Sequence, residues 1–180
     1  MAPQLGLALN VGGGRYDYEQ LCGLAALGHE IVVLLPKRHL ASSPPLPPTI
    51  RTIALHGRAV RTSLSWNLAI VPELLWHCHR SRPDLIRVHS PYFLGVGALL
   101  VGRALGIPVV GSALHLGDDL PAGRWTEQHV LPRFDGILAI SAATEAAIRA
   151  LHPGYRGHLN FVHCGGEREY LIAGAIAAAA

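Results

Sequence analysis

Gly12, Gly13 and Gly14 stand between a short apolar run, Leu5 to Val11, and a segment with helical spacing. Glycines at such a junction let the backbone turn tightly and approach a ligand closely. The free N–H groups at the start of the helix that follows suit a phosphate. The same three glycines equally serve a strand-to-helix turn that needs them only for geometry. A second candidate is His115, the last residue of Val109-Val-Gly-Ser-Ala-Leu-His115. An imidazole at the carboxyl end of a strand can donate to a hydroxyl or stabilise developing charge; as a solvent-facing loop residue it does neither. The third candidate is His89-Ser90-Pro91-Tyr92. His89 and Ser90 either bind a ligand and shape a crevice, or form a Ser-Pro turn in which His89 is buried and hydrogen-bonded.

Other chemistries lack their residues. The spacing Gly12-x-Gly14-x-x-Asp17 misses the third glycine of a dinucleotide fingerprint, and Leu34-Leu-Pro-Lys37 offers no acid for a ribose hydroxyl. No Gly-Lys-Ser/Thr follows the glycines, so they are not a P-loop. In Trp76-His77-Cys78-His79 the two histidines are two apart and point to different faces of a helix, unlike the i, i+4 pair that binds a metal. No carboxylate pair stands out for glycoside hydrolysis, and there is no Gly-x-Ser-x-Gly nucleophile elbow. Neither a metal nor a cofactor is expected.

The elements that must position these residues alternate between strand and helix. Strands are expected at Leu5–Val11, His29–Leu35, Thr49–Leu55, Leu85–His89, Ile107–Leu114, Ile137–Ile140 and His158–His163. Helices are expected over 17–27, 65–80, 94–105, part of 118–134, and 142–151, with Gly28 and Gly106 as stops and Ser141 as an N-cap. The proline-rich stretch 41–48 can be neither helix nor central strand. This alternation predicts an α/β fold: a Rossmann-like, doubly wound parallel sheet of about seven strands with helices on both faces. Ligands of such sheets bind beyond the carboxyl ends of the strands, which directs attention to loops 11–16, 89–94, 114–119 and 163–168. Residues 1–170 read as one domain. Residues 171–180 read as a low-complexity tail or the start of a second domain.

Composition narrows the function classes. Half of the 180 residues are hydrophobic and 15% are charged, which excludes a disordered chain. The net charge of +3 comes from arginines, since Lys37 is the only lysine. They are scattered, with no basic stripe and interleaved aromatics, so no nucleic-acid partner is expected. A modest basic excess suits anionic small molecules or peripheral contact with an anionic membrane surface. Three cysteines, Cys22, Cys78 and Cys164, with no Cys-x-x-Cys indicate neither a disulfide framework nor a zinc site. A cytoplasmic location is expected on that basis.

Taken together, the segments resemble the N-terminal domain of family-4 retaining glycosyltransferases, which have the GT-B fold. Gly12-Gly13-Gly14, a helix, then Leu27-Gly-His-Glu-Ile-Val-Val33 is similar to that family's opening "GG…LA..GHeV.v". Arg82-Pro-Asp-Leu-Ile-Arg-Val-His-Ser90 is similar to "kpDvvhvHs", Gly106-Ile-Pro-Val-Val-Gly-Ser-Ala-Leu-His115 to "giPvv.t.H", and Phe134-Asp-Gly-Ile-Leu-Ala-Ile-Ser141 to "aD.iiavS". The pieces occur in order and cover roughly residues 5–168. Where the family reads "vi.NGvD", this chain has Val162-His-Cys-Gly-Gly-Glu167, so Cys164 and Glu167 replace Asn and Asp.

The resemblance implies one half of a GT-B enzyme that transfers a sugar from a nucleotide-sugar donor to an acceptor with retention of configuration. It implies that Gly12, Gly13 and Gly14 approach the donor phosphates and that His115 is the catalytic residue contacting the donor sugar. Arg15, His89, Ser90, Tyr92, Asp118 and Glu167 are the expected acceptor or cleft residues. The family's Glu-x7-Glu motif belongs to a second, donor-binding domain, and no two glutamates here have that spacing. A second donor-binding domain or subunit is therefore an expected partner, and full activity of this half alone is not expected. Two other readings remain at this point: a non-catalytic binding or scaffolding domain with the same fold, and a nucleotide-dependent oxidoreductase.

Overall fold

The computed structural model of the protein describes residues 12–40, 44–56, 67–113, 116 and 121–161. In chain order the elements are α1 (Gly12–Ala26), β1 (Ile31–Pro36), α2 (Lys37–Leu40), β2 (Ile50–Leu55), α3 (Val71–Ser81), β3 (Ile86–Val88), α4 (Pro91–Leu105), β4 (Val109–Ala113), α5 (Pro121–His129), a 3-10 turn (Leu131–Arg133), β5 (Gly136–Ala139), α6 (Ala142–Leu151) and β6 (His158–Phe161). Every described strand pairing is parallel.

The expected single sheet of about seven strands is corrected. Among the described residues there are six strands in two sheets, β1-β2 and β3-β4-β5-β6. The expected first strand, Leu5–Val11, lies outside the described residues, and the outer edge of the three-residue β3 pairs with no described strand. The glycine run is corrected too. Gly12, Gly13 and Gly14 are the first residues of α1, not a turn before it. Side-chain periodicity is silent on residues that have no side chain, and the first turn of a helix needs no intrahelical N–H donors. The helix expected over 65–80 is interrupted. Residues 67–69 are helical, the chain turns at Ile70, and α3 restarts with Pro72 in its first turn, because proline has no N–H with which to continue the preceding helix. The short helix α2 was not anticipated.

Helix ends follow their signals closely. Gly28 takes a left-handed φ of 87°, with His29 N–H donating to Leu24 O and Gly28 N–H to Ala25 O at 3.2 and 3.0 Å, a Schellman closure. Gly106, φ 69°, ends α4 in the same way. Ser141 caps α6, its Oγ accepting from Thr144 N–H at 3.1 Å.

Helices cover both faces of the larger sheet. Val88, Val109, Ala113, Ile137 and Ala139 share one face and pack against Ala98 and Leu99 of α4, Val130 and Leu131 around the 3-10 turn, Phe134, and Ile148 of α6. Gly111 faces the same way, and a Cβ there would lie 2.7 Å from Phe134 Cε2, so the ring rests directly on the strand backbone. A second cluster joins Leu55 of β2 to Ile70, Leu74 and Cys78 and to Val101 of α4. Asp135 ties the amino end of the sheet together. Its Oδ2 accepts from Val109 N–H at 2.8 Å, and its own carbonyl accepts from His158 N–H at 2.9 Å. Beside it, burial and the Asp135 charge push the Tyr155 phenol well above its ordinary range, while its OH donates to Phe134 O at 2.9 Å. α1 lies over the opposite face of this sheet, where it meets a buried charge.

Candidate site at the carboxyl ends of the strands

Alternation along β3 sends Ile86 and Val88 to one face, Arg87 and His89 to the other. Arg87 pairs in register with Val110, so Ser112, two residues on, shares its face. An arginine inside a buried parallel strand must find an anion or pay a large desolvation cost. Asp17, in the second turn of α1 and 5% exposed, is that anion. Arg87 Nη2 donates to Asp17 Oδ1 at 2.9 Å and to the fully buried Ser112 Oγ at 3.0 Å. The other carboxylate oxygen, Asp17 Oδ2, lies against His89 Nδ1. One carboxylate thus joins α1 to β3 and to the residue just past its carboxyl end.

The direction of α1 sets what lies above this cluster. Its carboxyl end leads through Gly28 into the start of β1, so its amino end points toward the carboxyl ends of the strands. Gly12 lies five residues before Asp17, about 7 Å along the helix axis. Gly12, Gly13 and Gly14 therefore sit at the same end of the fold as His89. Tyr18, one residue past Asp17, donates to Pro45 O at 3.2 Å, linking α1 to the proline-rich loop.

A second polar contact flanks the first. Ser90 occupies the N-cap position of α4 with extended backbone, φ −136° and ψ 125°, and makes no side-chain cap. Pro91 then opens the helix at a position that suits proline. Tyr92 OH donates to Oε1 of the buried Glu127 on α5 at 2.6 Å, and His152 Nε2 approaches Glu127 O at 2.8 Å. At the carboxyl end of β2, His56 N–H donates to both Glu73 oxygens at 2.9 Å.

Of the residues singled out from the sequence, the structure brings Gly12, Gly13, Gly14 and Arg15 to the start of α1, and His89, Ser90 and Tyr92 to the junction of β3 and α4. His115, Asp118 and Glu167 lie outside the described residues. His89 is neither fully buried nor free: its side chain is 29% exposed and held by Asp17. Sequence reasoning missed Asp17, Arg87, Ser112 and Glu127. The usable signal was Arg87, a charge inside Leu85-Ile-Arg-Val-His89 that required a buried partner. Among the described residues no three His, Cys, Asp or Glu side chains gather as a metal set. His77 packs edge-on against Trp76, and no described helix is long and apolar enough to cross a membrane.

Residues 11–169 match the model of one protein family, described as Glycosyltransferase Family 4. A search of curated proteins finds no match.

Proposed function

The chain belongs to glycosyltransferase family 4, and from that premise we propose that it forms the acceptor-side half of a GT-B transferase. Its reaction is transfer of a sugar from a nucleotide-sugar donor to an acceptor, with retention of configuration. Gly12, Gly13 and Gly14 approach the donor diphosphate, where unpaired N–H groups at the start of α1 meet negative charge. His115 contacts the donor sugar as the catalytic residue, and Arg15, His89, Ser90, Tyr92, Asp118 and Glu167 line the acceptor side of the cleft. A second donor-binding domain or subunit completes the cleft. As the sugar becomes oxocarbenium-like the leaving diphosphate gains charge, and preorganised donors aimed at it lower the barrier. Closing both substrates between two halves supplies orientation.

The observation that carries this reading is the convergence at one end of the parallel strands. The glycines of α1 and His89 occur at the end where ligands of such sheets bind, and Asp17 fixes them relative to each other. The test is thermal stability of the full chain against nucleoside diphosphates, nucleotide-sugars, NAD and NADP. A ligand at a hundredfold its Kd adds about 2.7 kcal/mol. Stabilisation by a nucleotide-sugar is the expected result. Stabilisation by NAD or NADP alone overturns the reading, and stabilisation by none, in the presence of any copurifying partner, points to a scaffold that keeps the fold without transfer.

A further inference from the structure

The helices that follow β2, β3 and β4 lie side by side, with α4 in the middle. A Cβ at Gly97 of α4 would meet Asn67 O at 2.9 Å and Leu74 of α3 at 3.5 Å, and one at Gly95 would meet Val130, just past α5, at 3.1 Å. Each helix turns its apolar stripe inward, and the helical period then fixes what it turns to solvent. Leu74 and Cys78 of α3 are buried, which leaves Trp76 on the far side, 57% exposed. By the same period Leu100 of α4 is 44% exposed and Trp125 of α5 is 43% exposed. With neighbouring helices about 8–10 Å apart, the two indoles belong to one broad face. Its charge has one sign. Among the described residues of these three helices, the exposed ionised side chains are Arg80, Arg103 and Arg124. The two acids are engaged elsewhere: Glu73 accepts from His56 N–H, and the buried Glu127 accepts from Tyr92 OH. Arg80 lies over the Trp76 ring, 5.8 Å from its centroid, and Trp125 stacks on His129 at 5.4 Å. The fold thus gathers arginines that are scattered in the sequence and sets them among exposed aromatic and aliphatic side chains.

We propose that this face docks the protein on the surface of an anionic lipid bilayer, a role that stands independently of the transferase reading. Tryptophan rings settle at the level of the headgroups. An arginine whose stem runs along apolar surface keeps its guanidinium among the lipid phosphates. Each arginine held near an anionic leaflet strengthens the attraction, which fades within a Debye length. The contact is peripheral, since no described helix is long and apolar enough to cross a membrane. Two other occupants fit the face less well. A second copy seated on it about a two-fold axis would set arginine against arginine. A single-stranded nucleic acid would stack its bases on the tryptophans, and one side of each ring is already covered, by Arg80 and by His129.

Cosedimentation of the full chain with lipid vesicles tests the proposal. Vesicles of equal parts phosphatidylcholine and phosphatidylglycerol are expected to carry the protein down, and added salt to release it; vesicles of phosphatidylcholine alone are expected to leave it in solution. Arg80→Gln with Arg103→Gln and Arg124→Gln is expected to weaken binding by about a hundredfold, and Trp76→Gln with Trp125→Gln by about tenfold. The substituted side chains are exposed, so the denaturant midpoint of both variants is expected to stay at the wild-type value. Lys37→Gln with Arg51→Gln and Arg156→Gln removes the same charge from other parts of the surface and is expected to leave vesicle binding within about twofold of wild type. Equal weakening by the two charge-removing sets overturns the assignment to this face, and equal binding to uncharged vesicles overturns the role of the arginines. Failure of the wild type to sediment with the anionic vesicles overturns the proposal outright, whether the face then binds single-stranded DNA or joins two copies of the chain in analytical ultracentrifugation. Each of these results leaves the transferase reading as it stands.

Discussion

Asp17→Ala is the perturbation that tests the linkage between α1 and the larger sheet most severely. The wild-type carboxylate is 7% exposed and takes a 2.9 Å bond from Arg87, whose side chain is 20% exposed. Removing Asp17 leaves the guanidinium with Ser112 Oγ at 3.0 Å and with Nε buried and unpartnered among the described residues. Breaking a buried pair from one side costs about 3–5 kcal/mol. Residual exposure of Arg87 lets water screen part of the charge, so about 3 kcal/mol is the expected loss. For a chain of this size each kcal/mol moves Tm by about 2–4 °C, giving a drop of roughly 6–12 °C. Replacing both partners by apolar residues of similar volume, Asp17→Leu with Arg87→Met, is expected to recover most of that loss, because buried ion pairs repay little more than their own desolvation. Urea unfolding of the wild type, both single variants and the double variant closes the cycle. A double variant whose destabilisation equals the sum of the singles refutes the idea that Asp17 and Arg87 act as a unit.

Three further outcomes follow from the packing. Gly111→Ala puts a Cβ 2.7 Å from the Phe134 ring, and overpacking of this kind costs about 1–3 kcal/mol; a denaturant midpoint at the wild-type value would contradict the tight contact. Ser141→Ala removes the cap accepted from Thr144 N–H at 3.1 Å and is expected to cost about 1 kcal/mol, with Ser141→Asp retaining wild-type stability in the same unfolding assay. Tyr155 sets the alkaline response. Its phenol is raised from 10.0 by burial and then by the Asp135 charge, so the folded chain keeps a proton that the unfolded chain releases. That contribution is complete below about pH 10 and is lost as pH rises toward the folded-state value; Tyr155→Phe is expected to flatten the fall in stability between about pH 10 and about pH 12.

The elements were legible where the sequence spoke through backbone chemistry. Gly28 and Gly106 were expected as stops and take left-handed φ; Ser141 was expected as a cap and accepts from Thr144. The apolar β-branched runs became parallel strands. The start of α1 escaped because Gly12, Gly13 and Gly14 contribute nothing to a side-chain period. The break at Ile70 escaped because the apolar pattern over 65–80 runs on through Pro72, whose missing N–H interrupts the helix. At the site, His89 and Tyr92 were visible by type and position, but their partners were not. Asp17 and Glu127 lie 72 and 35 residues away along the chain, and neither local spacing nor propensity reports a contact made across the fold. Asp17 stood in the place of a missing glycine, which drew attention to what was absent there and not to the carboxylate present. Asp135 shows the converse: a polar residue in a family-like segment whose bonds to Val109 and His158 are architectural.

The central claim is that a nucleotide-sugar engages this domain at the carboxyl ends of its strands. Backbone amide shifts of the isotopically labelled full chain, followed through titration with uridine- and guanosine-diphosphate sugars, test it most directly. The largest changes are expected at Gly12, Gly13, Gly14 and Arg15 and at His89, Ser90 and Tyr92, with the amino-end residues Gly106, Asp135 and Gly157 unmoved. Changes centred on those amino-end residues, with the start of α1 and the β3–α4 junction silent, would contradict it.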